Sequence, residues 1–282
     1  MSLSPEILVG YLRKEYKSAA SHRVFLFWLQ LLVALPGAIS VITIDETLTY
    51  FLTIGAVVLL VIWWLAYSRY QRTRDAAEAA RRAALLVGGL GYKMSADETL
   101  AFRAKMTVSE EEAEASIKAD YYNTQIPAGP ARLAEMLHES AFYTAALQKI
   151  SAFAMMALFV VLVVAFAAVA FAALPYVEHA TALIIMRIFL ALMVFWMSTD
   201  VLGSCLAHRS AAAEIERVKT RLQIARKDNY PLQDVMMIMG DYNAAVGGAP
   251  EVVPWAYDLS APKLNRMWDE YIANVHQVIV HA

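Results

Sequence analysis

Four apolar runs dominate this chain and leave it few ways to fold. Residues 24–43, 50–68 and 151–174 contain no charged side chain, and 182-ALIIMRIFLALMVFWMSTDVLGSCL-206 contains two, Arg187 and Asp200. Each run is close to the ~20 residues that a helix needs to cross ~30 Å of hydrocarbon. In a soluble protein such runs would have to be hidden on every side. Hydrophobic residues make up 59% of the chain and charged ones only 18%, against roughly 25% charged in soluble domains. The reading is therefore four transmembrane helices. Residues 1–23 are polar and mixed in charge, and no small-residue cleavage site follows the first run. The first span is thus expected to stay in the chain.

The connections set the orientation. The two short ones, 44-IDETLT-49 and 175-PYVEHA-180, hold Asp45, Glu46 and Glu178 and no lysine or arginine. Basic residues collect elsewhere: Arg13, Lys14, Lys17 and Arg23 at the start, Arg69, Arg72, Arg74, Arg81 and Arg82 after the second run, and Arg209 to Lys227 in the tail. The positive-inside rule then places both termini and the middle segment in the cytoplasm. The expected fold class is an all-α membrane protein with four transmembrane helices in two hairpins, extended into a helical cytoplasmic domain. Its parts are a cytoplasmic N-terminal helix (1–23), hairpin one (24–68), a cytoplasmic helical segment (69–150), hairpin two (151–206) and a helical tail (207–282).

Within the cytoplasmic parts, 69–91 reads as a continuation of the second span, stopped by Gly88, Gly89 and Gly91. Ser95 with Glu98 and Ser109 with Glu112 have capping-box spacing. The stretch 120-DYYNTQIPAGP-130 reads as a loop, and a helix from Ala131 runs into the third span. The fourth span runs on through 207–229. Pro231 suits the first turn of a further helix ending near Gly240. Residues 246–262 read as irregular, and an amphipathic helix over 263–280 closes the chain.

No enzyme motif is present. The sequence 138-HES-140 lacks the second histidine of a metalloprotease helix, 88-GGLGYK-93 lacks P-loop spacing, and there is no GxSxG elbow. The six histidines show no metal-ligand spacing. The expectation is a protein that is not an enzyme and carries no cofactor. Cys205 is the single cysteine and leaves no intrachain disulfide. A net charge of −2 gives no basic excess for DNA or RNA.

What remains is electrostatics and aromatics. Arginines at 69–82 and 217–227 form a basic collar beneath the membrane. The plainer reading, favoured for any one of them, is orientation and contact with anionic lipid. The functional reading is a positive funnel for an anionic ligand, with Arg221 as a candidate contact. Tyr121, Tyr122 and Asn123 share one loop, and Trp255 and Tyr257 another. They either plug the loops onto the helical core or stack on nucleobases.

The layout resembles the SMODS-associated four-transmembrane effectors of the CBASS class of bacterial antiphage systems. The resemblance lies in two membrane hairpins, a central helical segment and a helical tail. Local sequence adds to it through 120-DYYNTQIPAGPARLAEML-137 and 249-APEVVPWAYDLSAPKLNRMW-268. It implies an inner-membrane effector that oligomerises and permeabilises the bilayer in response to a cyclic oligonucleotide second messenger. The implied partners are that messenger, the anionic lipid bilayer and further copies of the chain. The alternatives are a constitutive ion channel or transporter, and a membrane-anchored cytoplasmic scaffold.

Arg187 and Asp200 are 13 residues apart, about 20 Å along a helix and on different faces, so they cannot pair within one helix. Arg187 either snorkels to the outer interface or lines a pore, and Asp200, one turn before Ser204, either pairs with the collar arginines or lines an inner vestibule. Repeated around an oligomer, these charges would form rings of the kind that set selectivity. Pro36-Gly37 marks a candidate hinge in the first span.

Overall fold

The computed structural model of the protein describes residues 3–40, 45–118, 120–173, 178, 181, 183–189 and 201–280. All regular structure among them is helical. The named helices are α1 (Pro5–Ser40), α2 (Glu46–Leu90), α3 (Ala96–Lys105), α4 (Glu110–Glu114), α5 (Pro130–Ala173), α6 (Leu202–Lys227), α7 (Leu232–Gly248) and α8 (Ala256–Val280). Residues 183–189 are helical as well. Three helices, α1, α2 and α5, are long and apolar enough to cross a membrane. Most of the fourth apolar run, including Asp200, lies outside the described residues. Its 183–189 portion runs beside α5, with Phe189 stacked on Phe166 at 4.0 Å between ring centroids.

Helix ends follow local chemistry. Asp45 caps α2 by accepting from the backbone N–H groups of Thr47 and Leu48. Ser95 and Ser109 each close a capping box, with Glu98 and Glu112 reaching back to their N–H groups. Gly91, with φ of 69°, ends α2 in the left-handed conformation. Gly88 and Gly89, expected to stop this helix, lie inside it instead. The reason is close packing: a Cβ on Gly89 would sit 2.9 Å from Leu133 Cα on α5. The helix after Pro231 runs past Gly240 to Gly248, because the buried row Val235, Ile238, Met239 and Tyr242 is continuous through it. The last helix begins at Ala256 and contains Pro262, so the irregular stretch shrinks to 249–255 and Tyr257 lies in a helical first turn. Residues 1–23 do not form a separate helix, since α1 continues unbroken from Pro5 into the first apolar run and across Pro36 and Gly37.

The helix ends away from the apolar runs build two linked cores, and a smaller cluster of Ala19, Leu26 and Tyr70 lies where α1 and α2 run together. α1 buries Leu8, Leu12, Glu15, Ala19, Leu26 and Leu29, a row spaced by threes, fours and a seven. One core gathers α1, α3 and α4 against Ala80 and Ala84 of α2. The other gathers Leu85 of α2 with Leu133 and Leu137 of α5, Ile215 and Leu222 of α6, and Val235 and Tyr242 of α7. Each fully buried leucine or isoleucine contributes about 1.5–3 kcal/mol. The apolar window of α2, by contrast, buries none of its residues inside the chain. That surface needs lipid or another copy to cover it.

Candidate functional site

Several buried polar side chains converge where the apolar runs of the long helices meet the packed body. α2 supplies three of them, Arg74, Glu78 and Arg81, spaced four and seven residues apart and so on one face. Arg81 is buried. Its Nη1 donates to the Tyr16 hydroxyl at 3.0 Å and its Nη2 to Asn243 Oδ1 at 3.3 Å. The guanidinium also lies over the Tyr242 ring, 5.3 Å from its centroid. Tyr242 in turn shares a hydrogen bond with Thr144 of α5 at 3.2 Å. One arginine therefore ties α1, α2 and α7 together, and its aromatic neighbour reaches α5.

Arg74 holds the irregular strap 249–255. Its Nη2 donates to the carbonyls of Val246 at 3.3 Å, Gly247 at 2.9 Å and Ala249. Its Nε lies 3.5 Å from Glu78 and 3.7 Å from Glu251. From the other side, α5 grips the same strap. Gln148 Nε2 donates to the Pro250 carbonyl at 3.2 Å, and Val253 N–H donates to Ser151 Oγ at 3.1 Å. Gln148 Oε1 accepts from Nδ1 of His208 on α6, which fixes that ring as the Nδ1–H tautomer. Cys205 Sγ donates to the Ala152 carbonyl one turn above.

Burial shapes the charges here. Glu251 is pushed up by burial, an effect opposed by Arg74 beside it. Burial, with Arg23 adding to it, lowers His208 to about 4, so the ring is neutral at physiological pH. Lower in the body, Glu139 accepts from Asn123 N–H at 3.0 Å and burial raises it to about 7. The junction gathers Arg74, Arg81, Glu78 and Glu251 with a neutral histidine, and Arg23 acts electrostatically on it as well. It can hold or release backbone.

The sequence-derived candidates fall in several places. Tyr121 and Tyr122 pack edge-to-face at 4.9 Å, and Tyr122 touches both cores. Burial raises Tyr121 to about 12. Tyr257 is exposed in the first turn of α8. Asn123 is exposed and Arg221 pairs with Asp241. Trp255 is 58% exposed with φ of 65°. Ser204 is buried and Arg187 exposed. Pro36 and Gly37 sit within continuous α1. Arg74 and Arg81 were expected in a solvated collar, but they face inward. Gln148, Ser151, His208 and Glu251 were not singled out at all. The available signal was the seven-residue spacing of Arg74 and Arg81 on the same face as Ala77, Ala80 and Ala84. Comparison of the chain with protein-family models, with curated proteins and with solved structures finds no match.

Proposed function

We propose that this protein is an inner-membrane effector of bacterial antiphage defence, of the CBASS type, which oligomerises and permeabilises the bilayer on receiving a cyclic nucleotide signal. In this reading the fourth apolar run crosses the membrane beside α5, giving two hairpins with both termini in the cytoplasm. The observation that carries the reading is continuity. α2 has 45 residues and α5 has 44, and each serves as membrane helix at one end and as core of the cytoplasmic body at the other. A ligand that prefers one packing of that body over another shifts the spans with it. The strap held by Arg74, Gln148 and Ser151 is the natural place for that coupling. Tyr121, Tyr122, Asn123, Arg221, Trp255 and Tyr257 stay candidates for ligand contact, and Arg187, Asp200, Ser204, Pro36 and Gly37 for pore or gate.

The test is ion and dye release from liposomes holding the purified protein, with and without a panel of cyclic di- and trinucleotides. Release triggered by one nucleotide supports the proposal and names the signal. Release without nucleotide favours a constitutive channel. No release under any condition favours a membrane-anchored scaffold.

A further inference from the structure

The strap 249–255 rises to an apex and turns back. On the way up, Arg74 holds the carbonyls of residues 246–249. At the top, Val253 N–H is bonded to Ser151 Oγ at 3.1 Å, which places the apex level with the first residue of the apolar run of α5. α8 then descends along α5, since Tyr143 is hydrogen-bonded to Asn265 at 2.9 Å and Trp268 packs on Phe142 at 5.2 Å. Residues 253–259 are thus the part of the C-terminal segment closest to the bilayer.

That apex is apolar and uncovered. Trp255 is 58% exposed and held at φ of 65°, a conformation bulky residues rarely adopt. Tyr257 is 47% and Leu259 75% exposed. Phe153, two residues above Ser151 and on the opposite face of α5, is 77% exposed, so the exposed apolar side chains of the span begin at the level of the apex. Lys263 follows one turn below Leu259 on the same face and is exposed, as expected for a cation reaching head groups. Asp258 lies in the first turn of α8, where the helix dipole favours its charge.

We propose that the apex around Trp255, Tyr257 and Leu259 is a lipid anchor. It sits in the cytoplasmic leaflet at the boundary of head groups and acyl chains, where tryptophan and tyrosine rings with one wet edge are most stable. The occupant of this surface is the bilayer, argued from its level with the base of α5. The proposal rests on the reading of α5 as a membrane span. It assigns Trp255 and Tyr257 a partner different from the nucleobase considered above. It also makes the strap a short bridge between membrane surface and cytoplasmic core.

The experiment is depth measurement by spin labels in proteoliposomes of the full chain. Labels are placed one at a time at Leu259→Cys, at Val161→Cys in the apolar part of α5 and at Thr220→Cys on the exposed face of α6. The native Cys205 is buried and bonded to Ala152, so unsubstituted protein serves as the background control. The ratio of collisions with oxygen to those with a water-soluble nickel chelate reports depth. The expected result is a ratio at Leu259 several-fold above that at Thr220 and below that at Val161. A Leu259 ratio equal to that of Thr220, with Val161 lipid-like, overturns the anchor and leaves the span intact. A Leu259 label shielded from both reagents means that another copy covers the apex, and overturns it too. A water-like Val161 overturns the span and the anchor together.

Discussion

Arg74 holds more partners than any other side chain at the junction, and nothing near it can substitute. Its planar fork meets three carbonyls and two carboxylates, a set that a lysine ammonium cannot span. Replacing it with glutamine removes the Arg74–Glu251 pair, with only Arg81 and Arg23 still acting on that carboxylate, and breaking a buried pair costs about 3–5 kcal/mol. The expected outcome of Arg74→Gln is faster amide hydrogen exchange over residues 246–255, little change in α3 and α4, and no rescue by Arg74→Lys. Glu139 carries a pH dependence. Its folded pKa, raised to about 7, lies above the ordinary value, so the stability it contributes is full below pH ~4.5 and is lost as pH rises through about 7. His138 and His208, lowered by burial to about 4, act with opposite sign and lose stability as pH falls from ~6.5. The wild-type profile therefore mixes the two. Subtracting the melting profile of Glu139→Gln in detergent between pH 4.5 and 8 should isolate a decline in wild-type stability toward high pH. A flat difference would remove Glu139 as its source.

At the scale of elements, close approach decides more than propensity. A Cβ on Gly10 of α1 would lie 2.2 Å from the Ala113 carbonyl oxygen of α4. Alanine gains about 1 kcal/mol of helix propensity over glycine, but overpacking against backbone costs about 1–3 kcal/mol. Gly10→Ala is therefore expected to lower the melting temperature and to loosen α4. Gly240→Ala, with open space around it, is expected to raise it. The same comparison separates what the sequence reveals from what it hides. Capping at Ser95 and Ser109, the start of α5 and the left-handed Gly91 are written in neighbouring residues, so they are legible. The inward face of Arg74 is not, because its carbonyl partner on Val246 is 172 residues away. An arginine in an Ala/Arg-rich helix reads as surface until that partner is placed. Gly240 misleads for the same reason, since buried contacts on the opposite face carry α7 past it.

For the whole molecule, the two main cores share α2, so they are expected to melt together. Leu8→Ala in one and Leu137→Ala in the other remove fully buried leucines, each costing about 2–5 kcal/mol. Both should shift a single calorimetric transition rather than split it. Two separated transitions would show that the cores are independent. The all-helical class and three of the expected long apolar helices were legible at this scale because runs of ~20 apolar residues have few alternatives. The junction next to them was not, being built from scattered polar residues of five helices and a strap.

The unbroken length of α2 has a mechanical side. Forty-five residues make a rod of about 68 Å, with no proline along it. α1, its neighbour, has Pro36 near its far end. A rod pinned near its waist by Arg74 and Arg81 works as a lever. A tilt too small to disturb the packing of the inner arm sweeps the outer arm sideways by several ångström, while the proline-bearing neighbour is the softer of the two and bends. In the proposed effector reading, displacement would thus reach the far end of α2 rather than being lost where the rod is held.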